Sequence, residues 1–334
     1  MILITGANGF IGQLLVPEIK RAFPKQKIYC LIFKSSKKHE KEGLEILKKS
    51  NVIIQPIDLL NKKSLVKIPK NPKVIIHLAA SVDTSSSNFQ TNDIGTQNLY
   101  DALGSLDLRT KFIFISTAAV WAGRKSFSKP ITESEKPDPN NQYGRTKLKA
   151  ENFLTCKSKQ DGFSLTILRL NTVYGADSRR DKLFGVITGY ISKGSVLGRI
   201  NWPGKFGIIH VKDVVKIIIA VCKQRTKISD SVSLYLVSTE NKSLQQISLL
   251  IHQEMGFKYR PIKIPEFVWF VVKKTMSLLP LLEILLPAYL YNYFWRLNLA
   301  VNDVLLGRPI KINKRFPDLR KIEFTNSIKE VVNI

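Results

Sequence analysis

Continuous runs of apolar residues recur along the first 240 positions of the chain, and the segments between them can form helices. The runs lie at residues 2–4, 27–33, 52–57, 74–78, 112–116, 165–170 and 232–237. Because they do not alternate with polar residues, they indicate strands that are buried on both faces of a sheet. Strands that alternate with helices build βαβ units, so the pattern predicts an α/β fold with a doubly wound parallel sheet of the Rossmann type.

A glycine-spaced turn follows the first run directly. The segment is Thr5-Gly6-Ala7-Asn8-Gly9-Phe10-Ile11-Gly12, and the helix-compatible residues 13–16 come next. Gly6 permits the tight turn after the strand, Gly9 lets backbone amides approach a phosphate, and Gly12 allows the helix to pack closely. The N-terminus of that helix then faces the anion. This order predicts a pyrophosphate-binding loop that consists of Gly6, Asn8, Gly9, Phe10, Ile11 and Gly12.

The residues after the second run bear on the choice of dinucleotide. A carboxylate there would accept hydrogen bonds from the adenosine ribose of NAD, but the sequence is Phe33-Lys34-Ser35-Ser36-Lys37-Lys38. Lys34 and its neighbours could hold the 2′-phosphate of NADP, which favours NADP over NAD. The alternative is that these lysines only form a solvated loop. After the fourth run, Leu78-Ala79-Ala80 would let the cofactor lie close to the backbone.

A second group of polar residues follows the fifth run. That run leads into Ser116 and Thr117, and Tyr143 and Lys147 come 26 and 30 residues after Thr117. A Tyr and a Lys four residues apart lie on one face of a helix, so the ammonium group can lie beside the phenol. A phenol with a pKa of about 10 is a poor base at neutral pH, but a nearby cation favours the phenolate. Tyr143 could then exchange a proton with a substrate oxygen while hydride moves to or from a nicotinamide.

Alone, the Tyr-x-x-x-Lys pattern usually marks only a helix face, but after a glycine loop and a Ser-Thr strand end it is specific. Together these motifs resemble the extended short-chain dehydrogenase/reductases, in particular the NAD-dependent epimerase/dehydratase family, over about residues 1 to 215. The resemblance implies that Thr117, Tyr143 and Lys147 form a catalytic triad. Thr117 would hold the substrate oxygen, and Tyr143 and Lys147 would also contact the cofactor.

The same resemblance gives roles to residues after the third and fourth strands. Asp58, followed by Leu59, would cap the adenine amino group, and Asn92 of an Asn-x-x-Gly-Thr segment would help to position the strands around the active site. The resemblance also divides the chain into a dinucleotide-binding domain at 1–175, to which 207–238 returns, and a smaller, mainly helical substrate-binding part at 176–206 and 239–334.

Most members of this family act on nucleotide sugars, so a nucleotide sugar is the first expectation for the secondary alcohol or ketone on which the chain acts. Two positions depart from those members: Thr172 stands where a diphosphate-binding Asn is expected, and Phe206 stands where an Arg is expected. Asn171 or Lys205 could substitute. The departures keep two alternatives open: a reductase or dehydrogenase of a hydrophobic, steroid- or isoprenoid-like alcohol or ketone, and a non-catalytic NADP-binding scaffold at a membrane.

The stretch from 265 to 295 is dense in apolar and aromatic residues. Pro280, Glu283 and Pro287 interrupt it, so no window supplies the roughly 20 apolar residues of a membrane-spanning helix. Three interpretations are open: helices that line a hydrophobic substrate pocket, a homodimer face, or peripheral contact with an anionic membrane.

Composition limits the partners and the setting. The chain holds 52 Lys and Arg against 26 Asp and Glu, a net charge of +26, which favours anionic partners or only reflects a lysine-rich solvated surface. No basic motif with interleaved aromatic residues accompanies the lysines, so no nucleic acid partner is expected. The widely separated Cys30, Cys156 and Cys222 predict no metal site and fit a reducing, cytoplasmic location. Three polar residues are interpreted as structural: His77, His210 and Asp213.

Overall fold

The computed structural model describes residues 1–34, 37–82, 88–124, 129–176, 183–224, 231–276, 278 and 285–332. Four residues named above lie outside the described residues: Ser35, Ser36, Pro280 and Glu283. Residues 177–182 of the expected substrate-binding part also lie outside them.

A parallel sheet of seven strands forms the centre of the molecule. Its strands are β1 (Ile2–Thr5), β2 (Ile28–Ile32), β3 (Ile53–Pro56), β4 (Val74–His77), β5 (Lys111–Thr117), β6 (Ser164–Leu170) and β9 (Val232–Val237). Their order is β3-β2-β1-β4-β5-β6-β9, and all neighbours pair in parallel. Each predicted run is a strand of this sheet, and the predicted doubly wound fold is confirmed.

A second sheet of three short strands lies beyond the end of β6. It consists of β7 (Thr172–Tyr174), β8 (Lys205–His210) and β10 (Glu240–Ser243), in the order β10-β8-β7. Strand β8 pairs in parallel with β7 and antiparallel with β10.

Helices cover both faces of the large sheet and make up most of the C-terminal part. In the first 223 residues they are α1 (Gly12–Ala22), α2 (Lys38–Lys49), α3 (Lys62–Leu65), α4 (Gln90–Ala102), α5 (Gln142–Asp161), α6 (Leu183–Ser192) and α7 (Val211–Lys223). The later helices are α8 (Leu244–Glu254), α9 (Glu266–Met276), α10 (Ala288–Val301), α11 (Ile310–Arg315) and α12 (Phe324–Val332). Two 3-10 turns lie at Ala118–Trp121 and Val196–Gly198.

The apolar runs fill cores on both sides of the large sheet because successive side chains of a strand point to opposite faces. Ile2 and Ile4 of β1 pack with Leu15 of α1 and Val214 of α7 on one face. Leu3 of the same strand packs on the other face with residues of β4, β5, α4 and α5. A third core, which includes Trp121, Tyr174 and Phe324, lies under the C-terminal helices.

Helix α5 has well-defined ends, which matters because it carries Tyr143 and Lys147. The side chain of Asn141 accepts a hydrogen bond from the Gly144 amide and caps the first turn. The helix ends at Gly162, which has the left-handed conformation with φ of +81°.

His210 and Asp213 connect β8 and α7 to the C-terminal end of the chain. The Nδ1 atom of His210 accepts from the Lys212 amide, and its Nε2 atom lies 3.1 Å from a Glu330 carboxylate oxygen. Asp213 accepts a hydrogen bond of 2.6 Å from the amide of Ile322. Both residues are therefore structural, as the sequence predicted.

Candidate active site

The predicted site residues lie along one edge of the large sheet. Because the strands are parallel, the carboxyl ends of β1 to β6 all lie at this edge, and the glycine loop, Asp58, Leu78 and Thr117 each follow one of these ends. The central order β2-β1-β4-β5 places the loop after β1 between the end of β2 and the residues that follow β4 and β5. An extended ligand can therefore lie across this edge.

The glycine loop rests directly on the segment after β4. Gly6 has a φ of +65°, and a Cβ atom at this position would lie 2.7 Å from the backbone nitrogen of Ala79. Only glycine fits both the dihedral angle and the close approach. The Ala79 amide also donates to the Thr5 hydroxyl, 3.1 Å away. The loop and the predicted cofactor contact at Ala79 are thus fixed relative to each other.

The start of α1 fits a phosphate. The helix begins after Ile11 without a side-chain cap, and its first turn contains no acidic residue. The positive end of its dipole is therefore available to an anion. These features, together with the loop from Gly6 to Gly12, agree with the predicted pyrophosphate site. Asn8 is buried, and its side-chain nitrogen donates to the Glu40 carbonyl at 3.4 Å, which ties the loop to α2.

The residues assigned to the adenosine end lie at the ends of β2 and β3. Lys34 is exposed, Asp58 is half-buried, and Leu59 is buried. A carboxylate oxygen of Asp58 accepts a hydrogen bond of 2.9 Å from the amide of Leu60, so the side chain is oriented by its own turn. Phe10, Ile11, Leu78, Ala79 and Ala80 are half-buried around the same edge.

Thr117 and Tyr143 meet at the end of β5. Thr117 is the last residue of β5 and Tyr143 is the second residue of α5, and the Thr117 side chain lies close enough to the phenol to lower the pKa of Tyr143. The approach depends on Gly144, where a Cβ atom would lie 2.7 Å from the carbonyl oxygen of Ala119 in the 3-10 turn after β5. A side chain at this position would push the start of α5 away from Thr117.

Burial dominates the titration of the predicted triad. It raises the pKa of Tyr143 to about 12, although the nearby Thr117 side chain acts in the opposite direction. It also lowers the pKa of Lys147 to about 7, while the charge of Glu151 opposes this shift. The expectation that Lys147 lowers the pKa of Tyr143 is therefore wrong for this structure. The physical reason is desolvation, which disfavours the charged form of both groups.

The ammonium group of Lys147 is held by the strand behind it. Its Nζ atom donates to the carbonyl oxygen of Ile115 at 2.8 Å and lies 4.6 Å from the centre of the Phe114 ring. Lys147 is 2% exposed, so its position is fixed by packing on β5. Tyr143 and Lys147 occupy the same face of α5, as their spacing predicted.

Asn92 joins the loop after β4 to α5, the helix of Tyr143 and Lys147. Its side-chain oxygen accepts from the Ser81 amide at 2.8 Å, and its side-chain nitrogen donates to the Thr146 hydroxyl at 3.2 Å. Thr146 is the neighbour of Lys147 in α5. This geometry agrees with the positioning role that the resemblance implied for Asn92.

His77 is a core residue, as predicted. Its two ring nitrogens lie 2.6 Å from the Thr5 hydroxyl and 2.9 Å from the Thr96 hydroxyl. Burial, followed by the positive charge of Lys147, lowers its pKa to about 3. The imidazole is therefore neutral and connects the strand before the glycine loop to α4.

Sequence reasoning missed a buried ion pair behind the triad. Glu151 follows Lys147 by one turn of α5, accepts a hydrogen bond of 2.5 Å from the Ser116 hydroxyl, and forms a salt bridge with Arg169 of β6. The guanidinium group of Arg169 stacks 4.3 Å from the centre of the Trp121 ring. The spacing of Tyr143, Lys147 and Glu151, four residues apart each time, is the signal that could have revealed this carboxylate.

The two positions that depart from nucleotide-sugar members lie at the small sheet. Thr172 is half-buried at the start of β7, and Phe206 is buried in β8. Of the two possible substitutes, Lys205 is exposed and Asn171 is buried against Gly207 and Gly307. The side-chain amide atoms of Asn171, Oδ1 and Nδ2, have no hydrogen-bond partner in the part of the chain that the structure describes.

Among the described residues, no group of three or more His, Cys, Asp or Glu side chains is arranged to hold a metal ion. Within the same ranges, none of the helices combines the length and the hydropathy that crossing a bilayer requires.

The parallel sheet, the glycine loop on Ala79, and the half-buried Tyr143 with the buried Lys147 near Thr117 define an NAD(P)-dependent enzyme of the extended short-chain type. The model of the NAD dependent epimerase/dehydratase family matches residues 2–233. The chain belongs to this family.

Relatives and solved structures agree with this assignment. The chain is 28% identical over 285 residues to a UDP-N-acetyl-alpha-D-glucosaminuronate decarboxylase of Bacillus cytotoxicus. The matched region covers 79% of this chain and 83% of the relative. It is 24% identical over 270 residues to a putative UDP-glucose 4-epimerase of Methanocaldococcus jannaschii, with coverages of 77% and 83%. Its fold is similar to that of UDP-glucuronic acid 4-epimerase from Bacillus cereus, solved with UDP-glucuronic acid and NAD, with a TM-score of 0.75, 20% identity and coverages of 99% and 98%.

Proposed function

We propose that the chain interconverts a nucleotide sugar at a secondary alcohol or ketone carbon, as an NAD(P)-dependent epimerase or oxidoreductase. The observation that carries the proposal is the meeting of the Tyr143 phenol and the Thr117 hydroxyl at the strand edge that also holds the glycine loop. The relatives named above act on UDP-sugars, which favours a nucleotide sugar over a hydrophobic alcohol and over a non-catalytic scaffold.

The residues divide the proton chemistry between them. The bound dinucleotide supplies the acceptor and donor of hydride. A substrate oxygen placed between Thr117 and Tyr143 would accept a hydrogen bond from the Thr117 hydroxyl and exchange its proton with the Tyr143 phenol. With a pKa raised to about 12, Tyr143 is protonated at neutral pH and suited to donate to a ketone oxygen. In the opposite direction Tyr143 must lose its proton, and burial opposes this step because it disfavours the phenolate.

Buried Lys147 can change its charge near neutral pH because its pKa is about 7. The Ile115 carbonyl accepts a hydrogen bond from its ammonium group and fixes its position. Lys147 would therefore contact the cofactor without losing further side-chain conformational entropy. Thr117 belongs to β5, and Lys147 is bonded to β5 through the Ile115 carbonyl. Tyr143 precedes Lys147 by one turn of α5, so all three proposed residues are held close to the end of β5.

For the cofactor we propose NADP, with NAD as the alternative. The proposal rests on Lys34, which is exposed at the end of β2 where a carboxylate would select NAD. For the setting we propose the cytoplasm, supported by Cys30, Cys156 and Cys222, all of which are free thiols.

The test is turnover of a substrate panel by wild type and by Tyr143→Phe. UDP- and dTDP-linked hexoses and hexuronic acids, and a steroid and an isoprenoid alcohol for comparison, are incubated with NAD or NADP and followed by NMR. We expect nucleotide-sugar turnover that falls by about 10²- to 10⁴-fold in Tyr143→Phe, while dinucleotide binding stays within a few-fold by calorimetry. Tyr29→Phe, half-buried near the amino end of β2 and away from the carboxyl ends of the strands, is the matched control and should retain full activity.

Two results would overturn the proposal. Turnover of the hydrophobic alcohols alone would replace the substrate class. Full nucleotide-sugar turnover by Tyr143→Phe would remove the phenol from the chemistry.

A further inference from the structure

Helices α9 and α10 expose large apolar side chains on their outer surfaces. On the helices themselves the most exposed are Phe267 (71%), Phe270 (62%) and Val271 (57%) of α9, and Tyr293 (68%) of α10. Leu278 and Leu285, between the two helices, and Leu290 of α10 are also exposed. We call this set the apolar face: Phe267, Phe270, Val271, Leu278, Leu285, Leu290 and Tyr293.

The exposure follows from the way in which the two helices pack. Trp269 and Met276 of α9 form a small core with Val301 of α10, and Phe294 and Leu297 of α10 pack against it. The inner surfaces of both helices are therefore used for folding. The residues at the intervening positions, such as Phe267, Phe270 and Val271, must point outward.

Such a concentration of exposed apolar side chains is unusual. Of the 19 large apolar side chains that are exposed among the described residues, seven belong to the apolar face. Single exposed apolar residues are normal on soluble proteins, but a contiguous group marks a contact with a partner or a membrane.

The charges around the apolar face identify the kind of partner. Lys273 and Lys274 are exposed at the end of α9, and Lys258, Arg260, Lys263 and Arg296 are exposed nearby in the chain. Residues 258–300 contain six Lys and Arg against two Glu, in a chain with a net charge of +26. An anionic surface complements this charge. A second copy of the chain would bring these same lysines together, so charge disfavours a symmetric dimer through this face.

Apolar and aromatic side chains bordered by lysines suit the boundary between lipid headgroups and acyl chains. Phe and Leu enter the acyl region while the lysine amines reach the anionic headgroups. Helix α9 has 11 residues, which is long enough to lie in the surface of a bilayer.

Helix α10 is also bonded to the loop that precedes the catalytic helix. The Tyr291 hydroxyl donates to the carbonyl oxygen of Asn140 at 2.5 Å, and the Trp295 ring nitrogen donates to the Asn140 side-chain oxygen at 3.2 Å. Asn140 precedes Asn141, the cap of α5, and stands three residues before Tyr143. A surface bound by α10 is therefore linked to the start of α5 through one residue.

We propose that the apolar face of α9 and α10, with its bordering lysines, docks the enzyme on an anionic lipid bilayer. Docking holds the start of α5, and with it Tyr143, close to the membrane surface.

The test is sedimentation of the full-length protein with vesicles. The probes are phosphatidylcholine vesicles with and without 30% phosphatidylglycerol, at low salt and at 0.5 M NaCl. Salt screens the attraction, because the Debye length falls from about 10 Å at 0.1 M to about 3 Å at 1 M. We expect binding to the anionic vesicles at low salt, at least ten-fold weaker binding to neutral vesicles, and partial release by salt. No substrate or cofactor is needed, so failure here leaves the proposed function intact.

Two variants and two matched controls separate the face from general charge and hydrophobicity. Phe267→Ser with Phe270→Ser, and Lys273→Glu with Lys274→Glu, should each weaken binding at least ten-fold and leave soluble-substrate turnover unchanged. The controls are Val66→Ser with Leu108→Ser, which are 71% and 61% exposed elsewhere, and Lys62→Glu with Lys63→Glu on α3. Circular dichroism and thermal melting confirm that each variant is folded.

Several outcomes would overturn the proposal. These are no binding to anionic vesicles at low salt, equal loss in the control variants, or a dimer in analytical ultracentrifugation that Phe267→Ser with Phe270→Ser dissociates. The last result would assign the face to a second copy of the chain.

Discussion

The ammonium group of Lys147 and the carboxylate of Glu151 lie one helical turn apart on α5, and both are buried behind the end of β5. The carboxylate raises the pKa of Lys147 against the larger, lowering effect of burial. Glu151 therefore acts on the proposed chemistry through Lys147, as a positioning residue.

Replacing Glu151 should change the pH dependence of activity. In Glu151→Gln the pKa of Lys147 falls further below its present value of about 7. If protonated Lys147 is the active form, activity is lost as pH rises through this pKa, so the alkaline limb of the kcat/KM profile moves to lower pH. The unfolding free energy should also fall by about 3 kcal/mol because Arg169 loses its buried partner.

The control for this change is Ser116→Ala, which removes a hydrogen bond to Glu151 but keeps its charge. Its alkaline limb should stay close to that of wild type. An unchanged profile in Glu151→Gln would contradict the electrostatic role.

Adding one methyl group at Gly144 should separate the two hydroxyl groups of the site. In Gly144→Ala the new carbon meets the Ala119 carbonyl at 2.7 Å, so the start of α5 must shift. We expect a ten-fold or greater fall in kcat and a stability loss of about 1–3 kcal/mol by denaturant unfolding. Gly189→Ala in α6 is the control, because no atom lies within 4 Å of its new carbon. It should be neutral or slightly stabilising, and equal effects of the two variants would argue against the close-approach explanation.

Gly6→Ala should prevent dinucleotide binding. The new residue must adopt a positive φ, and its Cβ atom would also clash with the backbone of Ala79. Gly194 has the same φ of +65°, but the space around it is open. Gly194→Ala therefore measures the dihedral cost alone, about 1 kcal/mol. We expect fluorescence titration to show at least a 100-fold weaker affinity for Gly6→Ala only. Wild-type affinity in this variant would remove the loop from the cofactor site.

Lys34 should influence the choice of cofactor. Lys34→Glu places a carboxylate at the end of β2, where it repels the 2′-phosphate of NADP and accepts hydrogen bonds from the ribose of NAD. The ratio of kcat/KM for NADP to that for NAD should fall by ten-fold or more. Lys62→Glu, on exposed α3, controls for the change in net charge. If both variants keep the wild-type ratio, Lys34 is only part of a solvated loop.

Acid should destabilise the fold through His77. Its pKa is 6.5 in the unfolded chain and about 3 in the folded protein, so the unfolded chain binds an additional proton between these values. The unfolding free energy therefore falls as pH falls from 6.5 towards 3, by at most about 1.4 kcal/mol per pH unit. Denaturant unfolding at several pH values should show this slope in wild type and a smaller one in His77→Asn. An equal slope in both proteins would assign the acid sensitivity to other groups.

The fold and the outline of the site were accessible from sequence because their signals are local. The apolar runs, the glycine turn after β1, and the spacing of Tyr143 and Lys147 each lie within a few residues of one another. The contacts that the sequence did not reveal join distant residues. Arg169 reaches Glu151 across 18 positions, and Gly144 meets Ala119 across 25.

The direction predicted from the sequence for the pKa shift of Tyr143 was wrong for a related reason. The spacing of Tyr143 and Lys147 shows that a cation is near, but desolvation depends on every element that encloses the phenol. The identity of the partner at 265–295 was also open in the sequence. In the structure Trp269 packs inward and Phe270 is exposed to solvent. The exposed side of α9 is therefore an outer surface of the protein and not the lining of a pocket.

A line of polar contacts runs from the glycine loop to α5. It passes from Thr5 to His77 and Thr96, and α4 then continues it from Asn92 to Thr146, next to Lys147. The glycine loop and the helix that bears the proposed acid-base residue are consequently aligned by one neutral imidazole and one side-chain amide. Because these contacts are internal, sequence changes in the outer helices should leave the glycine loop and α5 in the same relative position.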